Sequence, residues 1–394
     1  MALYFECRRK GSSSVRLLPM VETGINEAQR APNSVAAAET TSAAAQKNLS
    51  IQCLRGVAAL FVVLFHASFY SGLRFGNSSW ATAFDGRFGL VGVAIFFAIS
   101  GLLMAELIQR TDPWRFLAHR IVRIYPSYLL AVSVGLPIVT LAGKSVGLRL
   151  WSLMLVPAGQ RKYYLGVEWT LVFECTYYVA LFFLARIGWH RHLNRIVLVW
   201  IVLIGVAPFF IGWSDDVLYP VYSILLSPAN AAFMGGLLIP WFVRKKIRFP
   251  VGIGILGLCI LMVTLPTNPM VARWTAGVVA TLLVMDIARI DVPRRALLGL
   301  SRLGDWSYGL YLCHVPCNLL LYQIWPSSLG VGTAWFSAVA IALFVSAILG
   351  SIDVRMYKYF KGAVDHAGED HRRRLVDIYA GAFVVASLIG SVWL

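Results

Sequence analysis

CLRGVAALFVVLFHASFY, residues 53–70, places one arginine near its start and a histidine eleven residues later in an otherwise apolar run. An α-helix needs about 20 apolar residues to cross roughly 30 Å of hydrocarbon. The run around this stretch, at about 54–73, meets that length. Comparable runs recur at about 89–108, 124–142, 164–185, 195–212, 221–243, 250–266, 271–289, 303–323, 331–352 and 376–394. These predict an all-α polytopic membrane bundle of about 10–11 transmembrane helices, the eleventh at the C-terminus. Lipid offers no water to satisfy an open sheet edge, and the runs lack the alternation of a barrel.

Composition agrees. Of 394 residues, 58% are hydrophobic and only 14% charged, and the mean hydropathy is +0.70, so polar surface is too scarce to cover a soluble globule. The net charge of +16 would suggest nucleic acid in a soluble protein. Here the cations fall in short clusters between apolar runs, which is a topology signal, and no nucleic-acid partner is expected. The six cysteines lack zinc spacing and read as small core hydrophobes; no metal is expected.

No secretory signal is expected at the start, and residues 1–48, rich in Ala, Ser and Thr, read as a disordered or loosely helical tail. A membrane domain is expected over 49–355, followed over 356–394 by a basic cytoplasmic segment and the extra helix. With a cytoplasmic N-terminus, one side collects Arg110–Arg123, Arg186–Arg195, Arg244–Arg248, Arg289–Arg302 and Arg355–Arg374, while the other keeps scattered cations. This asymmetry sets the orientation. The segment 148–159 is too short to span and is expected to lie at the outer surface or to re-enter.

Three ionisable groups are expected near the midplane. A rise of about 1.5 Å per residue puts His66 roughly 16 Å beyond Arg55. Glu174 lies about ten residues into the fourth run, and His314 about twelve residues past Arg302 in the ninth. Such groups are costly in lipid and normally face a protein interior or a wet cavity, where they have a task; the plain alternative is a buried pair that holds helices together. A histidine can take or give a proton near neutral pH, with a carboxylate to orient it.

Arg120 and Arg123, three residues apart, share a helix face. They read either as topology markers and headgroup contacts or as two forks for a phosphate-bearing ligand. Gly92, Ser100 and Gly101 in the second run suit close helix packing; Ser100 as a nucleophile would need a base within reach.

These residues fall in a pattern that resembles the acyltransferase 3 family of multi-spanning membrane O-acyltransferases. RGVAALFVVLFH resembles its Arg-x10-His signature and GVAIFFAISGLLM its second-helix block. FLAHRIVRIYPSYLL is similar to its Arg-x-x-Arg block, EWTLVFECTYYVAL to its W-(S/T)-L-x-x-E block, and LGDWSYGLYLCHVP to its S-Y-x-x-Y-x-x-H block. The likeness covers about residues 50–355. It departs at the end, where SIDVRMYKYF has Asp353 near the family's expected acid and no proline.

The resemblance implies transfer of an acyl group, usually acetyl, from cytoplasmic acyl-CoA to a hydroxyl of a glycan or lipid-linked sugar, in a bacterial inner membrane. It makes Arg55 and His66 a functional pair, Arg120 and Arg123 contacts for the CoA phosphates, and Glu174 the partner carboxylate that orients His66 as general base, with His314 and Ser100 as accessory candidates. The rival class is a proton-coupled transporter or flippase of a lipid-linked sugar. It is disfavoured because transporters tend to carry internal repeats with interrupted helices, and none is visible in the sequence.

Overall fold

The computed structural model describes residues 31–76, 78–143, 150–157, 163–211, 221–289, 294–326 and 328–392. Among them the regular structure is helical, without strands. Eleven principal helices follow in order: α1 Ala31–Phe75, α2 Gly86–Leu107, α3 Pro113–Leu141, α4 Trp169–Arg186, α5 Leu193–Val206, α6 Asn230–Arg244, α7 Ile253–Val263, α8 Pro269–Ile287, α9 Arg294–Ile324, α10 Val331–His366 and α11 Glu369–Val392. Each apolar run of the sequence except 221–243 falls on one of them.

Seven helical spans are long and apolar enough to cross a membrane, those of α1, α2, α3, α5, α8, α10 and α11. The others are shorter or more polar. α4 carries Glu174 and two tyrosines, α7 has 11 residues, and α9 mixes Asp, Ser, Tyr and His into its apolar stripe.

The run at 221–243, expected as one helix, is broken. Val221–Leu226 stops at Ser227, and α6 begins at Asn230. Pro228 has no N–H to give and its ring crowds the preceding turn. Asn230 repairs the break, its amide donating to the Ile224 and Leu225 carbonyls at 2.7 and 3.1 Å while its oxygen accepts from the Tyr177 hydroxyl.

Local caps set other starts. Asp85 accepts from the Arg87 N–H before α2, and Asp112 accepts from the Trp114 N–H before α3, with Pro113 at the first helical position. The described part of the short segment, 150–157, packs against α3. Tyr125 and Tyr128, about halfway along α3, donate to the Met154 and Ser152 carbonyls at 2.6 and 3.0 Å, and Leu155 and Val156 are buried.

The basic loops gather at one end. Gln109 donates to the His190 carbonyl, Arg186 pairs with Asp377 and Arg115 with Asp365. At the other end Arg74 donates to the Tyr322 carbonyl and Arg87 to that of Met262.

α1 and α9 pack closely. A Cβ on Gly56 would meet the Leu300 carbonyl at 2.9 Å, and one on Gly304 would collide with the Gln52 carbonyl. Only glycine at both positions permits the approach, and the resulting register sets α1 residue 66 opposite α9 residue 314.

Candidate active site

A cavity of about 460 Å³ opens toward the arginine-rich end between α1, α2, α3, α4, α9 and α10. That volume lies within the roughly 300–1,000 Å³ of small-molecule sites. Five cations line it, Arg55, Arg120, Arg123, Lys358 and Lys361, against three carboxylates, Glu174, Asp305 and Asp353. The cavity therefore favours an anion.

The five cations are not equivalent. Arg123 is committed to Asp353, its Nη1 lying 2.8 Å from both carboxylate oxygens, and Ser127 donates to the same group at 2.6 Å. Asp353 is 2% exposed. The Arg123 guanidinium also lies over the rings of Tyr308 and Tyr357, at 4.9 and 5.5 Å. Lys361 is held by Asp365 at 2.7 Å.

Arg120 differs. It is 8% exposed, makes no ion pair among the described residues, and its Nε is buried without a hydrogen-bond partner. Its aromatic neighbour is Tyr178, at 5.9 Å. A desolvated guanidinium with an unmet donor is costly to leave so, and an anionic ligand would meet it. The two arginines that share one helix face thus divide: Arg123 is neutralised by the protein, and Arg120 is free to meet a ligand.

Glu174 also lines this cavity. It accepts from Ser100 Oγ at 3.2 Å and from the Tyr178 hydroxyl at 2.7 Å. Ser100, read as a packing residue, instead faces the cavity, whereas its neighbour Gly101 does pack, since a Cβ there would collide with the Phe233 carbonyl.

His66 does not line the cavity. The inner end is walled by Phe96, Thr170 and Tyr311; the Tyr311 hydroxyl donates to the Val167 carbonyl at 2.9 Å and meets Thr170 Oγ1 at 2.6 Å. The loop carrying Val167 is itself fixed by the fully buried Glu168, whose carboxylate accepts the N–H groups of Tyr164, Leu165 and Val167. His314 packs against Tyr311, the ring centroids 6.0 Å apart, and reaches His66 beyond it.

The expectation that Glu174 orients His66 is therefore corrected. No hydrogen bond joins them among the described residues; the partner of His66 is His314, Nε2 to Nδ1 at 3.1 Å. The correction has a simple cause. Matching depth, which the sequence conveys, does not say which helices touch, and Gly56 and Gly304 bring α9, not α4, against α1.

The hydrogen bonds determine the tautomers. His314 Nδ1 lies 2.9 Å from the Leu310 carbonyl, so it must donate, which leaves Nε2 as an acceptor. His66 Nδ1 lies 2.9 Å from the Val62 carbonyl and must donate too, sharing its proton with His314 Nε2. With both rings neutral, His66 Nε2 carries a free lone pair. His314 is fully buried while His66 is half-buried, so His66 is the more accessible ring of the pair.

Sequence reasoning passed over Tyr178, Tyr311, Thr170 and Glu168 and did not assign Asp353 a partner. A signal existed for Tyr311. Tyr308, Tyr311 and His314 recur every three residues on α9 and form one stripe, from the Arg123 guanidinium to the His66 ring.

A model of the acyltransferase 3 family, described as an acyltransferase domain, matches residues 48–352. The exopolysaccharide production protein ExoZ of Rhizobium meliloti (strain 1021) is 30% identical over 282 residues, covering 64% of this chain and 80% of that protein. Nodulation protein 10 of Rhizobium leguminosarum bv. viciae is 27% identical over 308 residues, covering 66% and 80%. No solved structure matches the chain.

Proposed function

Because the chain belongs to the acyltransferase 3 family, with residues 48–352 matching it, we propose that this multi-pass membrane protein acylates a hydroxyl of a surface polysaccharide or its lipid-linked precursor, with acyl-CoA, most simply acetyl-CoA, as donor. The observation that carries the donor assignment is the buried Arg120, whose Nε lacks a partner in a cavity with more cations than carboxylates. Guanidinium suits the phosphates of CoA because it binds their oxygens in pairs. Arg55 and Lys358 line the same cavity and add to its positive field. The name of ExoZ, an exopolysaccharide production protein, supports a glycan acceptor.

In this reading a thioester supplies the activated carbonyl. His66 Nε2 accepts the proton of the acceptor hydroxyl as its oxygen attacks, and the thiolate leaves. His314 acts as a positioning residue, sharing the His66 Nδ1–H with the Val62 carbonyl, and the two together keep the lone pair on Nε2. Tyr311 stands between the donor cavity and this pair and must yield, or admit the acyl end past it, for the two halves to meet. Glu174, bound by Ser100 and Tyr178, serves the donor cavity. Comparing surface glycans by mass spectrometry from cells with and without the gene tests the function: loss of one acyl increment per modified sugar is expected, and unaltered glycans in the deletion would exclude it.

The arginine-rich end faces the cytoplasm, in a bacterial inner membrane, because cations are retained on that side. Single cysteines at 328–330 should react with an impermeant thiol reagent in intact cells, whereas cysteines at 244–248 should not. The reverse pattern would invert the topology and place the donor cavity on the wrong side for acyl-CoA.

A further inference from the structure

A second cavity, of about 250 Å³, opens at the arginine-rich end and shares no residue with the first. Gln109 follows α2, His190 and Arg191 sit on the single turn Trp189–His192, Asn194 begins α5, and Trp241 and Arg244 end α6. No carboxylate lines it, and neither arginine makes an ion pair among the described residues. His190 Nδ1 is buried and has no hydrogen-bond partner, while Gln109 grips the His190 carbonyl at 2.8 Å and holds the turn in place. The first turn of α5 has no side-chain cap, so its partial positive charge adds to the two guanidinium groups.

These features ask for an anion, and the neighbouring helix says which kind. From the cavity α5 runs into the membrane with Leu198, Val199, Val202, Leu203 and Val206 all exposed. A soluble phosphate would leave that apolar face unused, whereas a phospholipid would occupy both parts. We propose that this cavity binds the phosphodiester headgroup of an anionic phospholipid, with the acyl chains lying along α5. Arg191 and Arg244 pair with the phosphate oxygens, as guanidinium does, and basic pockets between membrane helices are known to hold such headgroups. The volume admits a phosphate with a small polar substituent, and the site is distinct in place from the donor cavity.

The test uses the full-length protein in nanodiscs of phosphatidylcholine, with or without a minority of phosphatidylglycerol. Phosphatidylglycerol should raise the unfolding temperature, and native mass spectrometry should find it retained after delipidation. The double variant Arg191→Gln/Arg244→Gln should lose both effects. Lys245→Gln/Lys246→Gln removes the same charge from positions that are exposed, as Arg191 and Arg244 are, but do not line the cavity, and should keep them. Equal loss in both double variants would replace the site with a diffuse surface field and overturn the proposal. So would equal stabilisation by glycerol phosphate in phosphatidylcholine alone, which would mark a soluble-anion site. No response of the wild-type protein to phosphatidylglycerol would also overturn it.

Discussion

His66→Ala should leave at most about one part in a hundred of acyl transfer, since general acid–base assistance is worth roughly 10²–10⁴ in rate. Abundance should hold, because the change removes a costly polar ring from the bilayer interior and leaves His314 still bonded to the Leu310 carbonyl. The pairing with His314 sharpens the test. His314→Gln keeps an oxygen able to accept the His66 Nδ1–H, whereas His314→Ala leaves the Val62 carbonyl as its acceptor and removes the contact that holds the ring from α9. At equal protein levels the order of activity should be wild type, His314→Gln, His314→Ala, then His66→Ala. A pair with only a structural role would give variants that fail to accumulate, with any surviving protein turning over normally. Purified His66→Ala with near-normal turnover would remove the base from the mechanism.

Arg120→Ala should lower kcat/KM for the acyl donor by the equivalent of about 1.5–3 kcal/mol, the worth of hydrogen bonds to a charged group, or roughly ten- to more than a hundredfold. Lysine should restore only part of this, because it cannot form the fork. Arg123→Ala is expected to act differently. It strands the buried Asp353 carboxylate, and removing one partner of a buried pair costs about 3–5 kcal/mol in stability. The protein should therefore disappear before its kinetics can be read, and Arg123→Ala/Asp353→Asn should restore abundance more than activity. The contrast is the point of the experiment: one arginine serves a ligand and the other serves the fold. Unchanged donor dependence in Arg120→Ala would return that residue to a topology marker.

The membrane bundle was legible in the sequence because seven of the runs answer to a single physical quantity, the thickness of hydrocarbon, and that requirement is local. Distance along a helix was legible for the same reason: counting from Arg55 places His66 about 16 Å along α1, and no contact with another helix is needed for the estimate. The break at Ser227–Ala229 had a local cause as well, Pro228, yet apolar flanks on both sides hid it.

Which polar groups meet was not legible. His66 and Glu174 share a depth, but depth is one coordinate, and the bundle's two lateral coordinates depend on which helices pack together. Gly56 against Leu300 and Gly304 against Gln52 bring α1 onto α9, giving His66 a histidine partner, while Glu174 turns to Ser100 and Tyr178. Likewise the spacing of Arg120 and Arg123 places both on one face, but only the arrival of Asp353 from a helix 230 residues away decides that Arg123 is neutralised. By itself the sequence determined the helices and the types of group available for chemistry, because these follow from interactions along one helix. The pairing of charges and rings was decided by tertiary structure alone, because a few ångströms of lateral approach separate a satisfied guanidinium from one that still needs a ligand.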